Sequence, residues 1–182
     1  MSGVCLGMIT LFGKQARASD AVDLLLECHG RIRSFLALAR RLTEAQTAER
    51  SAISEAAESV RRYFSEALPL HAEDEEESIL PRLRGRDPRL DDELAAMARE
   101  HREHEAPLAV LVGACEAIAR DPTRHVEFLS AIAVSSQELE RHFALHLQRE
   151  EELIFPAVRE LLDCSSGSEI MNEIRTRRSA HS

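Results

Sequence analysis

Residues 146–158 read HLQREEELIFPAV, and residues 71–83 read HAEDEEESILPRL. In both stretches a histidine is followed by glutamate at plus four, plus five and plus six, and by proline at plus ten. His71 therefore pairs with Glu75, and His146 with Glu150, one helical turn apart and roughly 6 Å along the axis. Each pair points in one direction, and that direction continues an apolar stripe. A buried ionised carboxylate costs several kcal/mol unless something positive compensates it, and two together cost more.

Working outward, four long helical patterns emerge, each with a stripe at intervals of three and four. The first runs Val22, Leu25, His29, Ile32, Leu36, Ala39, with Ser19 or Asp20 as its cap. The second runs Ile53, Ala57, Val60, Phe64, Leu68, His71, Glu75, Ile79, and Pro69 inside it predicts a kink or a division. The third is Leu94, Met97, His101, His104, Leu108, Leu111, Cys115, Ile118, with Pro107 in its interior. The fourth is Leu129, Ile132, Ser136, Leu139, Phe143, His146, Glu150, Ile154, Ala157, Leu161. Asp87-Pro88 and Asp121-Pro122 read as starts of the last two helices. Short connectors between amphipathic helices predict an all-α, antiparallel up-down four-helix bundle.

The two halves match in order. His29 precedes His71 by 42 positions and His101 precedes His146 by 45, and ECHGRIRSFL aligns with REHREHEAPL so that His29 lies over His101. An internal duplication of a helix pair accounts for this order. The bundle is expected over residues 19–164, with residues 1–18 an N-terminal extension and residues 165–182, beyond an SSGS run, a flexible tail.

Composition bounds the function. The chain has 182 residues, 44% of them apolar and 30% charged, with seven glycines, six prolines and no tryptophan, which suits one soluble helical domain. A net charge of −9 argues against nucleic acid, whose phosphates need clustered Lys and Arg. The apolar stretch VCLGMITLFG is too short to span a bilayer and lacks a signal peptide's basic flank, so no membrane role is expected. Cys5, Cys28, Cys115 and Cys164 form no CxxC pair, which points to a reduced, cytoplasmic protein. Cys28 lies off its stripe and reads as a packing residue.

Every one of the four stripes carries a histidine, two carry a glutamate as well, and no Lys or Arg falls on them. A cation held by imidazole and carboxylate is the economical compensation, and His plus Glu without Cys suits iron, manganese or zinc. A single histidine on an apolar stripe is more often a hydrogen-bonded core residue, and Glu73, Asp74, Glu76 and Glu77 read as a solvated helix face. Two HxxxE motifs in register, each preceded by a histidine one helix earlier, exceed what chance supplies.

The pattern H…HxxxEExxxxP…H…HxxxEExxxxP resembles that of the hemerythrin-like, or HHE cation-binding, family over about residues 20 to 163. The resemblance implies a non-haem di-iron centre of two Fe ions, with His29, His71, Glu75, His101, His146 and Glu150 as ligands and Glu75 and Glu150 as bridges. It further implies binding or sensing of O2, NO or peroxide, and as an alternative an enzyme that removes peroxide or NO or oxidises or stores iron. Apolar walls from Ile32, Phe64, Leu108, Phe143 and Ile154 would limit water access. The chain departs from the oxygen carriers, which have HxxxH on the third helix where position 105 here is Glu. It also has Glu151 where they have a bridging Asp, and Glu150 is in better register. His104 and Glu151 are the candidates for a further ligand, and His142 for an outer partner; His125 and His181 are expected to lie away from the site.

Overall fold

The computed structural model describes residues 18–45 and 48–180. The N-terminal extension, apart from Ala18, lies outside the described residues, and so do the side chains of Ser19 and Asp20. Every regular element among the described residues is helical: α1 (Ala18–Glu44), α2 (Arg50–Arg62), α3 (Leu68–Glu73), α4 (Leu80–Leu83), α5 (Pro88–Arg120), α6 (His125–Arg149), α7 (Phe155–Leu161) and α8 (Cys164–Ala180). No helix among them is long and apolar enough to cross a membrane.

Local chemistry sets the boundaries. The Asp87 carboxylate accepts a hydrogen bond from the Arg89 N–H at 2.8 Å, which caps α5, and Pro88 takes the first position, where a missing N–H costs nothing. Asp121 does the same for the Thr123 N–H at 3.0 Å, and a single 3-10 turn over Pro122–Arg124 leads into α6. His125, expected to lie away from the site, is buried at the start of α6, with its Nε2 2.7 Å from the Leu42 carbonyl oxygen near the end of α1. Gly85 (φ 75°) makes the turn after α4, a backbone conformation that other residues avoid.

The helices α2, α3 and α4 are joined by π-helical segments over Tyr63–Ala67 and Asp74–Ile79, and α6 and α7 by another over Glu150–Ile154. Each segment ends two residues before a proline: Pro69, Pro81 and Pro156. Proline lacks an N–H and its ring collides with the carbonyl four residues back, and one wider turn relieves both faults. The kink expected at Pro69 therefore takes the form of a π turn, whereas Pro107 is accommodated inside α5. A π turn holds one extra residue, and beyond the last of the three the inward register shifts by one. After Glu150–Ile154 the buried positions are Val158 and Leu162, not the expected Ala157 and Leu161, and Leu161 is 38% exposed.

The long helices pack side by side: α5 on α6, α2 on α5, α1 on α6 and α1 on α2. Their buried side chains form two apolar clusters. One gathers Ile32, Leu36, Val60, Phe64, Leu111, Ile118, Leu139 and Phe143; the other gathers Val22, Leu25, Ile79, Leu83, Leu94, Met97, Ile154 and Val158. Each fully buried aliphatic side chain contributes about 1.5–3 kcal/mol. Between the two clusters, on all four helical runs, falls the layer of buried histidine and glutamate.

The residues expected to form a flexible tail instead form α8, which packs on α1 and on the Asp74–Ile79 segment. Gly167, Ile170 and Ile174, spaced by three and four, are buried, and the two isoleucines join the second apolar cluster. Arg82 anchors the outer face of α8 through Glu173 at 2.8 Å and Glu169 at 3.2 Å.

Candidate metal centre

The six residues that the resemblance implied as ligands come together. His29, His71, Glu75 and Glu150 form one group and Glu75, His101, His146 and Glu150 a second, with one ligand-type atom of each residue within 4.8 Å of the others in its group. Glu75 and Glu150 belong to both. The Glu75 Oε1 lies 3.4 Å from His71 Nε2 and 3.9 Å from His29 Nε2, while its Oε2 lies 3.5 Å from His101 Nε2. In the same way Glu150 turns Oε2 to His29 Nε2 at 3.1 Å and Oε1 to His146 Nε2 at 3.0 Å. Each carboxylate thus offers one oxygen to each side of the layer.

These atoms are close without being satisfied. His29 Nε2, both ring nitrogens of His71 and all four carboxylate oxygens of Glu75 and Glu150 are buried and lack an aligned hydrogen-bond partner. Orphaned polar atoms at this depth cost free energy comparable to lost hydrogen bonds. Nitrogen and oxygen lone pairs converging on two points, with no sulfur among them, fit iron, manganese or zinc.

The electrostatics agree. Burial opposes a proton on His29, yet Glu150 and Glu75 outweigh it and raise its pKa to about 10. His101, also against burial, is raised to about 9 by Glu75 and Glu76, with help from Glu150. The same balance raises His71 and His146. Burial works against the charge of Glu75, but His71, His101 and His29 hold its carboxyl well below the usual range. The layer draws in positive charge, which protons supply when nothing else does.

The second glutamate of each motif has a separate task. Glu76 reaches His101 Nδ1 at 2.7 Å, and Glu151 reaches His29 Nδ1 at 2.8 Å while also pairing with Arg33 at 2.8 Å. Both cross to a neighbouring helix. Glu100 holds His146 Nδ1 at 3.0 Å and is itself paired with Arg149. A ring whose Nδ1–H is given to a carboxylate presents Nε2 to the centre. Of the face expected to be solvated, Glu76 and Glu77 are exposed, but Glu76 is engaged in this way and Asp74 is completely buried. The plus-five spacing was visible in both motifs; the residue each would reach was not.

His104 is buried but belongs to neither group. Its ring packs 4.2 Å from that of Phe143 and 5.1 Å from that of His146. Burial, then the neighbouring His146, His101 and His142, lower its pKa to about 3, so it is neutral at ordinary pH. His142 lies beyond it, 5.8 Å between rings. His104 lines a pocket of about 430 Å³ with Phe64, Leu68, Leu108 and Phe143, and this pocket reaches His71, His101 and His146. Of the expected apolar walls, Ile32 and Ile154 are packed instead in the clusters on either side. Cys28 sits next to the layer: burial raises its thiol pKa, but His71 and Arg178 outweigh burial and lower it.

A helical bundle with a buried layer of imidazole and carboxylate at its centre is the architecture of a cation-binding protein. The chain belongs to the Hemerythrin HHE cation binding domain family, which it matches over residues 20–158. No curated protein and no solved structure matches it. The matched region ends before α8.

Proposed function

We propose that the chain is a di-iron protein in which His29 and His71 would hold one iron ion, His101 and His146 the other, and Glu75 and Glu150 would serve both, and that it binds or senses O2 or a related small ligand such as NO or peroxide. The observation that carries this reading is the division of both carboxylates between the two histidine pairs. Iron held by such a donor set supplies reversible coordination and one-electron chemistry toward these molecules.

The chain's own residues supply the rest. Glu76, Glu100 and Glu151 fix the orientation of three imidazoles, and Phe64, Leu68, Leu108 and Phe143 give the approach an apolar wall that discourages water. His104, neutral and facing the same pocket, is placed to give a hydrogen bond to a small polar guest. Along α1 and α5 the buried side chains pass from the second apolar cluster to the first, and along the α2–α4 and α6–α7 runs they pass the other way. That alternation supports an antiparallel four-helix bundle, and the recurrence of a bridging and an orienting glutamate in each motif supports a duplicated helix pair. Among the described residues Cys28, Cys115 and Cys164 are free thiols, in keeping with a cytoplasmic setting.

An enzymatic reading follows from the same centre, because carboxylates favour ferric iron and the pocket admits peroxide. One experiment separates the two. Iron(II)-loaded protein prepared without oxygen is titrated with O2, NO and hydrogen peroxide, each followed by visible absorption. A change that saturates in proportion to protein, without continuing consumption, is expected; steady removal of peroxide or NO would instead establish the enzyme. Loaded protein that responds to none of the three would overturn both.

A further inference from the structure

We propose that Arg177 and Arg178, near the end of α8, are positioning residues for the metal centre, acting through the buried carboxylate of Asp74 on the helical segment that carries Glu75. This inference rests on the reading of the His/Glu layer as a metal site.

The geometry is specific. Asp74 is completely buried and immediately precedes Glu75 at the start of the Asp74–Ile79 segment. Its two oxygens are divided between the arginines: Oδ1 pairs with Arg177 Nη1, and Oδ2 accepts from Arg178 Nη2 at 2.8 Å and Nε at 3.1 Å. Arg177 also donates to Glu77 Oε2 at 3.0 Å and to Ser78 Oγ at 3.4 Å. Its Nε also pairs with Glu73 Oε2 at 3.8 Å, so one side chain of α8 grips four residues that flank Glu75 on both sides. Arg178 Nη2 in addition lies 3.5 Å from Cys28 Sγ, the residue before His29. The two arginines thus touch chain neighbours of a bridging carboxylate on one helix and of an imidazole on another.

Three of the four histidines in the layer are oriented by a glutamate on Nδ1, whereas the Glu75 side of the site has no such carboxylate holding His71. Glu75, like Glu150, sits on a π-helical segment, and it is the Asp74–Ile79 segment on which α8 packs. Paired guanidinium forks on a buried carboxylate are directional, so they hold the rotation of the segment as well as its position. Without them the Asp74 carboxylate is left buried and uncompensated, and its relief is to turn toward water. Turning Asp74 outward rotates Glu75 with it and spoils the split of its oxygens between the two histidine pairs.

Simple docking of α8 is the rival explanation, and Arg82 isolates it. Arg82 ties α8 to the body through Glu169 and Glu173; it also donates to the Ser78 carbonyl oxygen, one turn back on its own helical run, at 2.8 Å, but does not touch Asp74. The test uses the full chain loaded with iron(II) without oxygen, and follows release to a chromophoric chelator. Wild type is compared with the double variant R177A/R178A, with Asp74→Asn and with Arg82→Ala, and the thermal midpoint of each is measured metal-free. Asp74→Asn and the double variant are expected to release iron about 10–100-fold faster, and to shift the visible absorption of the oxidised form. Arg82→Ala is expected to lower the metal-free midpoint yet release iron at the wild-type rate with an unchanged spectrum. Wild-type release from the double variant, or equally fast release from Arg82→Ala, would overturn the proposal. Should the double variant not fold, Asp74→Asn decides by itself, since it leaves the arginines and the Arg82 anchor in place. A wild-type chain that takes up no iron would instead remove the metal reading on which this one stands.

Discussion

Glu75 and Glu150 each turn one oxygen to either histidine pair, and in the proposed di-iron reading they would serve both metal positions. Their loss is therefore expected to differ in kind from that of a histidine. Glu75→Gln keeps the shape but removes the shared charge, and should empty both metal positions. His101→Ala should empty chiefly the position it shares with His146, leaving about half the metal. Metal per chain after equilibration at equal free iron checks this, and identical losses in the two variants would contradict the bridging role. At this scale the sequence was informative for the groups that share a stripe, since helical spacing alone aims His29, His71, Glu75, His101, His146 and Glu150 inward. It was silent on Glu76, Glu100 and Glu151 as partners of Nδ1, because those contacts cross between helices. Asp74 was misread as solvated for the same reason: its partners stand about a hundred residues away on α8.

At the scale of the element, the π turn before Pro156 explains where a strict period of three and four fails, whereas the expected Leu68, His71, Glu75 and Ile79 stay buried around the two earlier π turns. Two adjacent leucines make a direct test. Leu162, nearly buried, should cost about 2–5 kcal/mol when cut to alanine, as is usual for a core leucine. Leu161, 38% exposed, should cost within about 0.5 kcal/mol, as at other surface positions. Urea unfolding of the two variants reads the difference; the reverse order would show that the inward register continues unshifted past Glu150–Ile154. The prolines were in plain view, but whether each would kink, break or widen its helix depends on the packing around it. In the same way α8 had its spacing written in Gly167, Ile170 and Ile174, yet three positions in a polar stretch after SSGS make too thin a stripe to distinguish from a tail.

For the whole molecule, a polar layer between two apolar clusters means that stability depends on what charge the layer contains. In the metal-free chain His29 is raised to about 10 and His101 to about 9 from an ordinary 6.5. Their contribution is fully present below pH 6.5 and is lost as pH rises through the folded values. His104, lowered to about 3, contributes above pH 6.5 and loses that contribution as pH falls toward 3. Glu75, held well below its ordinary 4.5, adds a further loss that begins as pH falls below about 4.5 and continues toward its folded value. Metal-free stability is therefore expected to peak near pH 6.5 and to fall on both sides. A bound metal replaces the protons on the imidazoles, so the alkaline loss should shrink in the loaded chain. Urea midpoints at about pH 5, 6.5 and 9, with and without iron, test this; matching profiles for the two forms would count against a metal in the layer. The ring of packed helices was foreseeable from four stripes and short connectors, whereas the added cover of α8 was not.

The most direct measurement is metal content per chain on protein purified without oxygen, beside the double variant H71A/H146A, which takes one imidazole from each pair. Close to two irons per chain in the wild type and little in the variant is the predicted result. No bound metal in either, with the variant equally stable, would contradict the account and leave the buried histidines and glutamates as structure alone.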